Sequence, residues 1–200
     1  AKSSDIFVEA ELFENKGGWV VDAQFMDQMG SPYLMAHGLG KPVADAETPV
    51  EFPEKGTYHI WVRTFNWNAP WDASQAPGVF QLLADGKVVA GKLGDGPTEW
   101  GWQKAGVLDV KKNGERVMIS LHDLTGFNGR CDALFFSRNA AAMPPQGGVE
   151  LVAFRKKMLG IRTEVSPETY DLVVVGAGTA GLSAAVAASR LGLKTLLLQN

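Results

Sequence analysis

The sequence is poor in the residues that build disulfides and transition-metal sites. Its 200 residues include one cysteine and three histidines. The single Cys131 excludes an internal disulfide, and it excludes an iron–sulfur cluster held by four thiolates of these residues. His37, His59 and His122 lack the short mutual spacing of zinc ligands. We therefore expect neither a disulfide framework nor a histidine-based metal centre.

Long apolar runs and an excess of one charge are missing as well. No apolar run approaches the roughly 20 residues that cross a bilayer. The net charge of −3 gives no reason to expect a nucleic-acid or anionic-membrane partner. The sequence also begins without a methionine and without a charged-then-apolar leader, so we expect a signal peptide to be either removed or absent. With 46% hydrophobic and 20% charged residues, the composition is that of a globular protein that can bury a core.

Tryptophan divides the chain into two regions. The first half contains all six tryptophans, which are Trp19, Trp61, Trp67, Trp71, Trp100 and Trp102. The last 31 residues are small and aliphatic instead, and residues 139–148 between the regions are rich in Ala, Pro and Gly, as linkers are. We therefore predict one domain over 1–138, a connecting segment over 139–169 and a second unit over 170–200.

The connecting segment contains one helical pattern. Apolar residues recur over 149–159 with helical spacing, and Gly160 would end that helix. Arg155, Lys156 and Lys157 form a short basic run within it, which is typical of a solvated helix face.

The first domain has the two-residue period of β-strands. Tyr58, Ile60 and Val62 share one face of a predicted strand, with polar and aromatic residues between them. Asp85-Gly86 and Asn113-Gly114 predict tight hairpin turns, because these dipeptides tolerate positive φ. Short strands joined by such turns indicate a mainly β fold, an antiparallel jelly-roll β-sandwich.

The last region contains a glycine motif in a strand–helix–strand context. Gly176, Gly178 and Gly181 have the spacing Gly-x-Gly-x-x-Gly, after an apolar run and at the start of a helical pattern. The strands are predicted over 171–175 and 194–198, and the helix over 179–191. This order predicts an incomplete Rossmann-like βαβ unit that binds a dinucleotide. The alternative is a glycine-rich turn that binds nothing.

Each glycine has a physical role in that prediction. Gly176 permits the tight turn, Gly178 lets a diphosphate approach the backbone, and Gly181 allows close packing of helix and strand. The first helical residues, Thr179 and Ala180, would offer free N–H groups to the diphosphate.

Gln199 stands where an acid is expected. An Asp or Glu at the end of the second strand normally accepts hydrogen bonds from ribose hydroxyls. The Gln199 amide can also bond a ribose hydroxyl, without the charge. The residues alone therefore leave NAD, NADP and FAD open.

The stretch from Tyr170 to Gln199 resembles the amino-terminal ADP-binding segment of FAD-dependent oxidoreductases, particularly a group in which a Gln-Asn pair follows the second strand. The resemblance implies FAD as cofactor, with flavin and substrate contacts supplied by later sequence, so no catalytic residue is assigned here. It also implies that these 200 residues are a truncated, inactive piece of a larger enzyme. Open sheet edges in such a piece would favour contact with the remainder of the flavin domain or an oligomer.

The first domain resembles jelly-roll carbohydrate-binding modules found beside polysaccharide-degrading enzymes. The resemblance covers residues 5–138 and depends on four segments: 8–11, 52–63, 83–88 and 131–137. It implies a saccharide partner and, with it, a periplasmic or extracellular location.

The same resemblance implies a structural calcium ion. Glu9 and Glu11 match an acidic pair on the first strand, and their two-residue spacing would place both on one face. Asp132 matches an acid on the last strand, and three carboxylates with carbonyls and water could complete a calcium shell. The alternative is that all three are ordinary surface carboxylates.

Four tryptophans in predicted loops are candidates for stacking on sugar rings. These are Trp67, Trp71, Trp100 and Trp102. The alternative is that they close the end of the sandwich or pack on the flavin domain, because tryptophan is common at interfaces as well as in ligand sites.

Three functions are compatible with these patterns. The first is an FAD-dependent oxidoreductase that its β-sandwich positions on a saccharide. The second is a non-catalytic carbohydrate-binding module, whose affinity would survive removal of residues 140–200. In the third, the sandwich is a structural cap on the flavin domain, and its tryptophans are buried between domains.

Overall fold

A computed structural model of the chain describes residues 4–161, 165 and 167–199. The chain divides into two compact units, Ala1–Ile161 and Arg162–Asn200. The helix predicted within the connecting segment is present at Gly148–Met158 and lies in the first unit.

The first unit contains ten described strands in two antiparallel sheets. The strands of the first sheet are β1 Ile6–Glu9, β2 Val20–Asp22, β3 Tyr33–His37, β5 Gly56–Thr64, β8 Gly101–Val110 and β10 Phe127–Ser137. Those of the second are β4 Ala46–Phe52, β6 Phe80–Ala84, β7 Lys87–Leu93 and β9 Glu115–Asp123. The first, six-stranded sheet has the order β2-β3-β10-β5-β8, with β1 also paired to β10. The second, four-stranded sheet has the order β4-β9-β6-β7.

The alternation of apolar residues determines which faces meet in the core. Tyr58, Ile60 and Val62 are fully buried between the sheets, as the two-residue period predicts. Asp85 and Gly86 both have positive φ in the β6–β7 turn, as the Asp-Gly dipeptide predicts. The predicted jelly-roll β-sandwich is therefore confirmed. Further fully buried core residues are Phe13, Phe52, Phe80, Leu82, Ile119 and Phe136.

Three short helical segments and one longer helix complete the first unit. A 3-10 turn spans Ala10–Leu12 directly after β1, and two single-turn helices, α1 Met26–Met29 and α2 Ala69–Asp72, lie in loops. Helix α3, Gly148–Met158, packs on the outer face of the six-stranded sheet. A second apolar cluster forms there from Phe7, Trp102, Ala133, Phe135 and Leu151, with Trp61, Phe154 and Met158 packed against it.

The second unit is a strand–helix–strand arrangement. Strands β11 Leu172–Val175 and β12 Thr195–Leu198 pair in parallel, and α4, Thr179–Arg190, connects them. Parallel neighbours require such a crossover connection. The helix ends before Gly192, which has positive φ. No helix in the described part of the chain is both long enough and apolar enough to span a membrane.

Candidate functional site

The turn between β11 and α4 requires glycine at two of its three motif positions. Gly176 has φ of +98°, a backbone conformation that side chains disfavour, and its N–H donates to the Leu198 carbonyl over 2.8 Å. A Cβ at Gly181 would lie 1.8 Å from the Gly176 carbonyl oxygen. Both glycines are therefore explained by the fold itself.

Gly178 is different, because nothing within the described fold requires it. Its φ of −62° is ordinary for any residue, and a Cβ there would meet no atom within 4 Å. Gly178 is the N-cap of α4, and no side chain caps that end of the helix. The N–H groups of the first helical turn, which include those of Thr179, Ala180 and Gly181, have no acceptor within a helix.

Gln199 lies against the same turn. Its Oε1 accepts a hydrogen bond from the Ala177 N–H, so the end of β12 and the glycine turn are joined. A shallow cavity of about 340 Å³ is lined there by Val175, Gly176, Leu198 and Gln199. The residues predicted to bind the cofactor thus come together at one end of the parallel strand pair.

The sequence allowed two interpretations of the predicted calcium ligands, a calcium site or surface carboxylates. Neither describes their environment in the structure. Glu9 is 5% exposed and Asp132 is fully buried, so the surface alternative is wrong for both. Strand β1 ends at Glu9, and Glu11 lies in the 3-10 turn that follows. The two-residue spacing therefore does not place Glu9 and Glu11 on one face of a strand.

Sheet pairing brings two acids and an arginine side by side on the outer face. Ala133 of β10 pairs with Glu9 of β1 on one side and with Arg63 of β5 on the other. The β10–β5 register shifts between Cys131 and Ala133, a bulge that contains Asp132. Arg63 Nη1 donates to Asp132 Oδ2 over 3.0 Å.

Arg155 of α3 completes this group. Its Nη1 donates to both Glu9 carboxylate oxygens, over 2.9 and 2.8 Å, and to the Ser31 hydroxyl. Its Nη2 donates to Asp132 Oδ2, and the Ser31 hydroxyl donates to Asp132 Oδ1 over 3.1 Å. Arg155 is 4% exposed, so the prediction of a solvated basic face is wrong for it, whereas Lys156 is exposed.

Burial dominates the electrostatics of this group. Burial raises the pKa of Glu9 to about 7, and the charge of Arg155 opposes that rise. Burial and the neighbouring Glu9 charge raise the pKa of Glu11 to about 8. Burial also lowers the pKa of Arg63, against the opposing effect of Asp132.

The residues present do not fit the calcium ion that the resemblance implies. A guanidinium occupies the space between Glu9 and Asp132 and takes up their oxygens. Over residues 4–161, 165 and 167–199, no three His, Cys, Asp or Glu side chains are grouped so as to hold a metal. The predicted set of Glu9, Glu11 and Asp132 is corrected accordingly.

A cavity of about 710 Å³ opens at the end of β5 and the start of β8. Its aromatic wall is formed by Phe25, Phe65 and Trp100, whose rings contact one another at centroid distances of 5.7–6.0 Å. The Arg63 guanidinium lies 5.8 Å from the Trp100 ring centroid. The remaining lining residues are Gln28, Ala69, Pro70, Thr98, Glu99, Gln146 and Gly147.

The four candidate tryptophans lie in three different environments. Trp100 lines the cavity, whereas Trp102 is 7% exposed beneath α3 and donates from Nε1 to the Pro145 carbonyl over 2.9 Å. Trp67 and Trp71 form an edge-to-face pair at 6.4 Å between centroids. Trp71 is 77% exposed, and Trp67 Nε1 donates to the Phe127 carbonyl over 2.7 Å. The structure does not bring the four together as one surface.

Sequence reasoning missed the cavity residues Phe25, Phe65, Arg63 and Gln146. They come from three segments that are distant in sequence, and these segments meet only because the strand ends and loops converge. It also missed Arg155, for which a signal existed: the residue occupies the i+4 position from the apolar Leu151, on the same helix face.

A family model described as FAD dependent oxidoreductase matches residues 171–200. The tRNA uridine 5-carboxymethylaminomethyl modification enzyme MnmG of Enterococcus faecalis is 68% identical over 31 residues, which are 16% of this chain and 5% of that enzyme. The enzyme of the same name from Lacticaseibacillus paracasei is 70% identical over 30 residues, again 5% of its length. The chain therefore spans about one twentieth of the length of these relatives.

Solved structures match the first unit. A family 35 carbohydrate-binding module from Clostridium thermocellum aligns with a TM-score of 0.51 and 16% identity, over 67% of this chain and 98% of that one. A GH26-CBM35 β-(1,4)-mannanase from Podospora anserina aligns with a TM-score of 0.52 and 12% identity, over 70% of this chain and 29% of that one. The predicted resemblances are thus both confirmed: the sandwich has the fold of a carbohydrate-binding module, and residues 171–200 are similar to FAD-dependent oxidoreductases.

Proposed function

We propose that the chain is part of an FAD-dependent oxidoreductase and that residues 171–199 hold the ADP part of the cofactor. Gly178 is the observation that carries the proposal. The fold accounts for Gly176 and Gly181, but it leaves Gly178 in open space with an ordinary φ. A glycine without an internal reason at a helix N-terminus is explained by a ligand whose diphosphate must approach the backbone closely.

The electrostatics of the turn support the same ligand. Helix α4 has 12 residues, and its N-terminus offers unpaired N–H groups and a partial positive charge. Because no side chain caps this end, a diphosphate would not have to displace one. Gln199, held against the turn through Ala177, stands where a ribose contact is needed.

The similarity to MnmG supports dinucleotide binding alone. It covers 31 residues, which are 16% of this chain and 5% of that enzyme. A tRNA-directed activity is therefore no part of the proposal, and the net charge of −3 gives no independent reason for one.

The polypeptide expressed from the full open reading frame that encodes these residues provides the test. We expect it to purify with flavin absorbance. Gly178→Ala should weaken FAD binding at least about tenfold, because the added methyl lies where the diphosphate approaches. Gly91→Ala is the matched control, since Gly91 also has open space around it and no positive φ. A colourless protein that takes up no added FAD, or a Gly178→Ala variant that binds FAD normally, would contradict the proposal.

For the first unit we propose saccharide recognition, carried by the cavity beside Trp100. Its aromatic wall offers apolar faces on which a sugar ring can stack, and Arg63, Gln28, Thr98 and Glu99 offer polar partners for hydroxyls. The enzyme would then act on a saccharide or a sugar-derived compound, in the periplasm or outside the cell.

A polysaccharide panel separates the cavity from the exposed tryptophan pair. Affinity electrophoresis on β-mannan, xylan and pectin should show retardation that Trp100→Ala abolishes and Trp71→Ala leaves intact. Loss with Trp71→Ala alone would move the site to the Trp67–Trp71 pair. No retardation on any polysaccharide would favour the structural-cap interpretation.

A further inference from the structure

Two carboxylates and two guanidinium groups meet on the outer face of the six-stranded sheet. Glu9 and Asp132 provide the negative charges, and Arg63 and Arg155 the positive ones. All four side chains are at least 95% buried. An unpaired buried charge is strongly unfavourable, so each of these groups depends on its partners.

Arg155 has a different position in this group from Arg63. Arg63 contacts Asp132 and the Gln146 carbonyl, whereas Arg155 contacts Glu9 and Asp132 together. A planar guanidinium with several donors suits this bridging role, because it can satisfy oxygens of two carboxylates at once. Arg155 donates to both carboxylate oxygens of Glu9, so it is the cation in direct contact with this buried acid.

The helix face that contains Arg155 is the docked face. Leu151, one turn earlier, is fully buried, and Phe154 and Met158 pack on the same apolar cluster. The Arg155 guanidinium also lies 5.6 Å from the Phe7 ring centroid. The Arg155 guanidinium therefore packs against this apolar cluster and forms part of the interface between α3 and the sheet.

We infer that Arg155 is the resident cation of the Glu9–Asp132 carboxylate pair, in the place where a carbohydrate-binding-module fold suggests calcium, and that it fastens α3 to the sandwich. The domain then holds its buried acids without a metal. Its carboxylate pair is neutralised by the residues that follow the last strand, so helix α3 belongs to the domain as a structural part.

The same attachment supports the edge of the cavity. Asp132 accepts from Arg155 and from Arg63, and Arg63 also donates to the Gln146 carbonyl. Gln146 and Gly147 precede α3 directly and line the cavity. Docking of α3 through Arg155 thus positions a cavity wall formed by Arg63 and Gln146.

Thermal unfolding of the full chain tests the inference without any mutation. The melting temperature should be the same, within about 1 °C, in EDTA and in millimolar Ca²⁺, because Arg155 already neutralises the Glu9–Asp132 pair. A rise of 5 °C or more with Ca²⁺ would overturn the inference, since binding to the native state would then stabilise it.

Substitution of the cation tests the role of Arg155 itself. Arg155→Met keeps much of the side-chain volume and removes the charge, and we expect it to lower the melting temperature by roughly 10 °C. Lys156→Met, on the exposed side of the same helix, is the control and should shift it by about 1 °C or less. Equal shifts for the two variants would overturn the inference.

A double variant covers the case in which Arg155→Met fails to fold. Glu9→Gln with Arg155→Met removes one charge of each sign from the cluster. This variant should recover much of the loss caused by either single substitution, because contacting charges are coupled. Losses that simply add would show that Arg155 and Glu9 act independently, against the inference.

Discussion

The two units of the chain differ in which groups they bury and which they leave exposed to solvent. The first unit buries charged groups and pairs them, as Glu9, Asp132 and Arg155 show. The second leaves apolar groups of its helix and strands exposed, including Val175 at 82%. A strand pair with one helix covers only one face, whereas two packed sheets enclose a core. The comparison teaches that the first unit closes a core of its own, whereas apolar residues of the second unit are left exposed.

The largest expected effect comes from removing α3. A chain that ends at residue 139 lacks Arg155 and leaves Glu9 and Asp132 with less positive charge, while Phe7 and Trp102 lose their cover. We expect it to lose cooperative unfolding or to fall in melting temperature by more than roughly 15 °C. A chain that ends at Ile161 should keep the melting temperature of the first unit. If calorimetry showed the same unfolding transition for both truncated chains, α3 would not be needed for the stability of the first unit, and the comparison would fail.

The next effect concerns the buried tryptophan. Trp102→Ala should reduce the free energy of unfolding by about 3–5 kcal/mol, because it leaves a cavity beneath α3. Chemical denaturation followed by circular dichroism measures this loss. A change below about 1 kcal/mol would show that α3 does not cover a packed core.

A smaller, local effect is expected at the glycine turn. Gly181→Ala places a methyl 1.8 Å from the Gly176 carbonyl oxygen, so the second unit should open while the first keeps its unfolding transition. Amide hydrogen exchange would show faster exchange over β11 and β12 only. Gly178→Ala is the matched control and should leave exchange unchanged in the absence of ligand.

The smallest effect is expected at the exposed tryptophan. Trp71→Ala should change the free energy of unfolding by less than about 0.5 kcal/mol, because the side chain lies largely in solvent. A loss above about 1.5 kcal/mol would indicate a packing role and remove Trp71 as a candidate platform.

Local patterns predicted the strands, the hairpin turn at Asp85-Gly86 and the strand–helix–strand unit. These depend on periodicity and backbone conformation, which neighbouring residues determine. The role of Arg155 was not predictable in the same way, because its partners lie 146 and 23 residues away in sequence. The bulge at Asp132 also depends on the pairing of three strands, which no local pattern reveals.

The two candidate sites differ in the same way, because one is formed by a contiguous motif and the other by segments that are distant in sequence. The glycine turn is one contiguous motif, so sequence located all of its residues, and Gln199 lies against it because parallel strands end at one edge. The cavity is assembled from four segments that are distant in sequence. Of the residues in its aromatic wall, the sequence therefore predicted only Trp100 as a candidate ligand contact. The four candidate tryptophans were all predicted to lie in loops, but whether each is buried depends on tertiary packing, which sequence composition does not reveal.

Hydrogen exchange with and without FAD tests the central claim most directly. In the polypeptide from the full open reading frame, FAD should slow amide exchange over residues 176–182, where the glycine turn and the start of α4 lie, and leave the β-sandwich unchanged. That result would support the second unit as the ADP-binding element. Unchanged exchange over 176–182 at saturating FAD would contradict the account.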